Sequence, residues 1–176
     1  MNLLLFDSPR GVFSLLLIVC LGMIGVALFF EYFLLLQPCL LCYLQRFCVY
    51  LLAIISTISL LHSKQTLLFF RIYLSFSLLS ILVGISLSVR QLYLQSLPKD
   101  LVPSCAPDLD YLLETLPLFD ILFMAIKGDG NCAEVLWSFQ GISIPGWLLI
   151  GFVIILIYTF SALIYSFHIH SPIKDR

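Results

Sequence analysis

Four stretches of this chain are long and apolar enough to leave water altogether, and nothing else in the sequence limits the fold so tightly. Residues 12–30 carry no charged side chain, nor do residues 72–89, which are bracketed by Arg71 and Arg90. Residues 47–61 form another clean run, extended at its start by Tyr43-Leu44-Gln45-Arg46, and residues 147–167 form a fourth, opened by Pro145-Gly146. Crossing roughly 30 Å of hydrocarbon takes about 20 mostly apolar residues in a helix. Only a helix satisfies its own backbone within such a run, and alternation at strand length is absent. The sequence therefore predicts an all-α membrane protein, a four-transmembrane-helix bundle with helices near 12–33, 43–62, 71–90 and 146–167.

Composition removes the competing classes. Of 176 residues, 61% are hydrophobic and 11% charged, whereas a soluble domain carries about a quarter charged residues. A cytosolic globule is excluded, and 15 Phe and 8 Tyr exclude disorder. A net charge of −1 leaves no basic footprint for nucleic acid. With no internal repeat and no low-complexity linker, residues 1–176 read as a single integral membrane domain in contact with the lipid bilayer.

Orientation follows from Lys and Arg in the short loops. Arg10, Lys64 with Arg71, and Lys174 with Arg176 fall on one side of a four-pass arrangement, and the loop near 34–42 contains neither residue type. Both termini are therefore expected in the cytoplasm, with the loops near 34–42 and 91–145 outside. The first apolar run exceeds the usual signal-peptide core, and no small-residue cleavage motif follows Phe30-Glu31-Tyr32-Phe33, so helix one reads as retained. In the long loop, Leu112, Leu116, Phe119, Phe123 and Ile126 recur at helical spacing against Asp110, Glu114 and Asp120, with Pro117 set to break or restart the helix from a first helical position. Such a stretch lies in the membrane interface or packs on the outer end of the bundle.

The six cysteines sort by this topology. Cys20 and Cys48 fall in mid-span, as small apolar residues of a core. Cys39, Cys42, Cys105 and Cys132 fall outside, where disulfides persist, and four cysteines allow three pairings. Gln37-Pro38-Cys39-Leu40-Leu41-Cys42 puts a Cys-x-x-Cys at the start of helix two, where unpaired N–H groups and the helix dipole favour an anion. That environment suits an exchanging thiol pair. Arg46 follows Cys42 by four residues, on the same helix face one turn deeper. An arginine at that depth needs a partner or a polar ligand. It could stabilise the Cys42 thiolate and donate to a carbonyl-bearing molecule; the plainer reading is an interfacial arginine reaching for headgroups. A metal is not expected, because Cys105 and Cys132 stand alone and His62, His168 and His170 fall on the cytoplasmic side.

Pro38-Cys39-Leu40-Leu41-Cys42 followed by Gln45-Arg46 resembles the signature of the disulfide bond formation protein B (DsbB) family. The resemblance extends to the four helices, to Gly130-Asn131-Cys132-Ala133-Glu134, and to Trp137-Ser138-Phe139-Gln140-Gly141 leading through Pro145 and Trp147 into helix four. It implies a quinone-dependent thiol oxidase of the bacterial inner membrane, which reoxidises a periplasmic thioredoxin-like partner of the DsbA type and passes two electrons to membrane quinone, ubiquinone or menaquinone. It further implies Cys39–Cys42 and Cys105–Cys132 disulfides, catalytic roles for all four cysteines, and Arg46 beside the quinone. Where some members carry a His near the outer end of helix three, this chain has Gln91 beside Arg90, so no quinone contact is carried over to that point. Two other readings stand behind it. One is a four-pass scaffold whose loop disulfides are purely structural. The other, ranked last, is a quinone enzyme resembling vitamin K epoxide reductase, whose Cys-x-x-Cys belongs on a later helix.

Overall fold

The computed structural model describes residues 9–62, 66–98, 102, 104 and 109–168. In chain order its elements are α1 (Pro9–Tyr32), α2 (Leu40–Leu61), α3 (Leu67–Gln95), α4 (Leu109–Thr115), α5 (Leu118–Lys127), α6 (Gly130–Ala133), β1 (Ser138–Phe139), β2 (Ile142–Ser143) and α7 (Ile144–His168). The helices α1, α2, α3 and α7 are each long and apolar enough to cross a membrane. They form the four-helix bundle that the apolar runs predict.

Packing runs α1 on α2, α2 on α3 and α3 on α7, while α1 and α7 touch only sparingly. The ring is thus closed on three sides and loose on the fourth. Phe13, Leu16, Leu52, Leu74, Ile81 and Phe152 fill its centre, together with the mid-span Cys20 and Cys48. Gly84 sets the α3–α7 approach, because a Cβ there would lie 2.5 Å from Cζ of the Phe152 ring. Small residues at such crossings let helices pack without a hydrophobic driving force between them. Ile18, Ile54, Phe76, Leu79, Ile154 and Ile157 point outward, as lipid-facing side chains do.

Three departures from the expected boundaries bear on the site. Helix α2 starts at Leu40 rather than 43, so the Cys-x-x-Cys straddles its first turn. Helix α3 runs to Gln95, and residues 91–95, expected in the loop, are helical. Hydropathy marks where the bilayer ends, not where the helix does: Arg90-Gln91-Leu92-Tyr93-Leu94-Gln95 contains no breaker, and Pro98 is the first residue to stop it. In the long loop Pro117 is the N-cap of α5 rather than its first helical residue, and its carbonyl accepts from Asp120 N at 3.0 Å. The interruption resets the helical phase. Leu112, Ile121 and Ala125 are consequently the residues buried against Leu40 of α2, while Phe119 and Phe123 are exposed on the far side. The loop therefore packs on the bundle by one face and leaves a second apolar face open.

Candidate functional site

Pro38 and Cys39 set up the first element of the site. Cys39 is extended at φ −72° and ψ 170° and forms the N-cap of α2, accepting from Tyr43 N at 3.1 Å. Cys42 follows within the first turn, so the two side chains meet: their Sγ atoms lie 3.0 Å apart, both as free thiols. Cys39 is buried and Cys42 half-buried.

The third thiol arrives from the long loop. Arg90 Nη2 donates to Lys127 O at 2.9 Å, holding the end of α5 against α3. Gly128 then takes φ +82°, and Asp129 caps α6 by accepting from Cys132 N at 3.3 Å. These steps deliver Cys132, fully buried, into a cluster with Cys39, Leu41 and Leu94. The Cys39 thiol is pushed far above its usual pKa by hydrogen bonding with Cys132, then with Cys42, then by burial. It is the thiol that keeps its proton. Cys105 lies outside the described residues, but its neighbour Ser104 accepts from Gly130 N through its carbonyl at 3.2 Å.

Arg46 is bound to protein rather than released to the surface. One guanidinium nitrogen pairs with the Glu31 carboxylate and the other donates to Ala27 O at 3.1 Å, both on α1. The headgroup reading is thereby displaced. An arginine at this depth demanded a partner, and Glu31 is the only acid between Asp7 and Asp100, so the pair was open to inspection although sequence reasoning missed it.

Two further side chains were missed. Gln91, buried on α3, donates from Nε2 to Cys39 Sγ at 3.3 Å and to Cys42 Sγ at 3.2 Å. Gln45 on α2, also buried, donates from Nε2 to Gln91 Oε1 at 3.0 Å. One turn beyond Gln91, Gln95 accepts from Ser143 Oγ at 2.8 Å. The last turns of α3 thus hold three outer parts together: α5 through Arg90, the thiols through Gln91, and the β1–β2 hairpin through Gln95.

That hairpin turns through Gln140 and Gly141, both at positive φ, as a two-residue connection between twisted strands requires. It carries Phe139 between Trp137 and Trp147, at ring separations of 6.1 and 6.2 Å, and Trp137 continues to Phe30 of α1 at 4.9 Å. This aromatic row crosses the loose α1–α7 side of the bundle. Behind it opens a cavity of about 620 Å³, within the range that takes a small organic ligand. Its walls are mostly apolar, and the polar residues among them include Cys42, Gln45, Arg46, Gln91 and Gln95 from the helices and Asn131, Glu134 and Ser143 from the long loop. Forked donors at one end of an apolar slot fit a planar ligand with carbonyl oxygens. Arg46, beside Cys42, is the residue that could hold such a ligand.

A bundle of membrane-spanning helices that gathers three thiols, two of them buried, beside such a cavity defines a multi-pass membrane protein built for thiol chemistry. The chain belongs to the DsbB family: the family model described as disulfide bond formation protein DsbB matches residues 9–162. It is 42% identical over 150 residues to disulfide bond formation protein B of Marinobacter nauticus, covering 85% of this chain and 89% of that one. To the protein of the same name from Chromohalobacter salexigens it is 43% identical over 141 residues, covering 80% and 82%. The corresponding protein of Stutzerimonas stutzeri is 36% identical over 146 residues, 83% and 89% of the two chains.

Proposed function

We propose that this protein is a dithiol:quinone oxidoreductase of the bacterial inner membrane, with both termini cytoplasmic, serving a periplasmic thioredoxin-like protein of the DsbA type. The observation that carries the reading is the meeting of Cys39, Cys42 and Cys132 beside a cavity lined by Arg46.

The oxidised protein has Cys39–Cys42 and Cys105–Cys132 disulfides. A thiolate of the reduced partner attacks Cys105 Sγ; a partner–Cys105 bond forms, the Cys105–Cys132 bond breaks, and Cys132 leaves as thiolate with the electron pair. Cys132, already packed on Cys39, attacks Cys39 Sγ, and Cys42 leaves as thiolate at the start of α2. The partner's second thiolate resolves the mixed disulfide, so the partner departs oxidised and Cys105 is released as thiolate. Cys105 then attacks Cys132 Sγ, the Cys39–Cys132 bond breaks, the outer disulfide re-forms, and Cys39 and Cys42 are left reduced with the partner's two electrons. The helix start and Arg46, one turn below, favour the charge on Cys42. A quinone, ubiquinone or menaquinone, supplies the two-electron oxidant that restores the inner disulfide. The hydrogen bond between Gly130 and Ser104 supports the outer pairing, since it brings the chain beside Cys105 to the turn before Cys132.

The test mixes reduced partner with the purified protein, with and without each quinone, and follows quinone absorbance by stopped flow. Cys42→Ser should abolish quinone reduction while insertion is kept, and undiminished turnover in that variant would sink the mechanism. The oxidised parent protein, mixed with a reduced partner lacking its resolving cysteine, should accumulate a mixed disulfide at Cys105 as Cys132 leaves. Attachment mainly through Cys39 or Cys42, read by mass spectrometry, would reverse the order of the relay.

A further inference from the structure

Both sulfurs of the Cys-x-x-Cys touch one side chain of another helix. Gln91 Nε2 lies 3.3 Å from Cys39 Sγ and 3.2 Å from Cys42 Sγ, and an amide nitrogen has two hydrogens to give. Gln91 Oε1 lies 3.7 Å from Cys42 Sγ, within reach of a thiol S–H. The same amide therefore offers Cys42 an acceptor when it is protonated and a donor when it is an anion. Its orientation is settled by a neighbour: Gln45 Nε2 donates to Gln91 Oε1 at 3.0 Å, which turns the Gln91 N–H groups toward the sulfurs. Both amides are nearly inaccessible, Gln45 at 2% and Gln91 at 3% exposure. An amide does not titrate, and this donor persists at every pH at which the protein is folded.

We infer that Gln91 is a catalytic residue of the inner exchange, donating hydrogen bonds to the Cys42 sulfur as it takes up negative charge, and that Gln45 is the positioning residue that keeps the donor facing it. In that step Cys132 thiolate attacks Cys39 Sγ, the Cys39–Cys42 bond breaks, and the electron pair leaves on Cys42. Gln91 needs no proton transfer and no movement to meet it, which is what a preorganised donor contributes. The inference rests on the proposed reading only in naming Cys42 as the leaving thiolate.

The experiment uses the full chain, reduced, in lipid nanodiscs without quinone, and follows iodoacetamide labelling of the Cys42 peptide by mass spectrometry at pH 7 and pH 11. Gln91→Met keeps the length and removes both the donors and the acceptor. A hydrogen bond to a charged group is worth about ten- to a hundredfold in equilibrium, so labelling at pH 7 should fall at least about tenfold, while at pH 11, where the sulfur is an anion regardless, it should be unchanged. Gln45→Met leaves the sulfurs untouched and should produce a smaller fall, about fivefold, the worth of a neutral hydrogen bond. Gln91→His, which returns a donor N–H, should recover most of the loss. A side chain that only packed would change both pH values alike or neither, and either result overturns the inference. Because no quinone is present, a wild-type protein that failed to reduce quinone would count against the function proposed above and leave this result standing.

Discussion

Gly128→Ala should separate Cys132 from Cys39 without touching either thiol. Gly128 stands at φ +82° and ψ 148°, close to a region that only glycine populates, and placing alanine there costs about 1–3 kcal/mol. Its new Cβ would also lie 2.3 Å from Leu94 Cδ1, with Cγ and Cδ2 at 3.4 and 3.5 Å. Leu94 is 2% exposed and packed with Cys39, Leu41 and Cys132, so it has little room to rotate away. Overpacking of that kind costs about 1–3 kcal/mol more. Together the two terms approach the lower range of a whole domain's stability, about 5 kcal/mol. The least costly relief is for residues 128–133 to lift from α3, taking Cys132 with them. Oxidation of a Cys42→Ser, Cys105→Ser background should form the Cys39–Cys132 bridge readily, and adding Gly128→Ala should slow it at least about tenfold, the equivalent of 1.4 kcal/mol. Non-reducing peptide mapping reads the bridge. Leu94→Ala in the same chain removes the steric part and should restore some of the rate. Bridge formation in Gly128→Ala at the parent rate would refute the argument.

Two more expectations follow from the same geometry. Arg46→Lys keeps the charge but cannot reach both Glu31 and Ala27 as a planar fork does. It should raise the apparent quinone KM about tenfold, and Arg46→Ala, which leaves Glu31 without its partner, should lower the rate as well; steady-state quinone reduction distinguishes these outcomes from an arginine with no role. Cys39, whose pKa is raised in the folded protein, stays a neutral thiol as pH climbs through the ordinary thiol range; its stabilising contribution is full below that range and is lost progressively as pH rises through and above it, where the unfolded chain ionises and the folded one does not. Labelling of reduced Cys39 should therefore stay slow between pH 7 and pH 9, and Cys132→Ala, which removes the first cause of the shift, should speed it at pH 9; an ordinary thiol profile in the parent protein would contradict this.

What the linear sequence determined here is what lipid demands of it. Four apolar runs that must hydrogen-bond internally leave no alternative to helices. The Cys-x-x-Cys with Arg46 one turn on was legible for the same reason: neighbours at helical spacing share a face whatever the rest of the chain does. The break at Pro117 was legible as well, but which residues of the two short helices face Leu40 and which, like Phe119 and Phe123, stay exposed was set by how the helices dock. Glu31 could have been found by asking where a buried arginine finds its carboxylate. Gln91 could not. Its value lies in a crossing of α3 over the start of α2, between residues separated by about fifty positions, where the two sulfurs, the amide of Gln45 and the loop carrying Cys132 converge. A glutamine at the end of an apolar run reads as an ordinary hydrophilic boundary residue, and only the tertiary structure determines whether its amide faces lipid, solvent or a thiol.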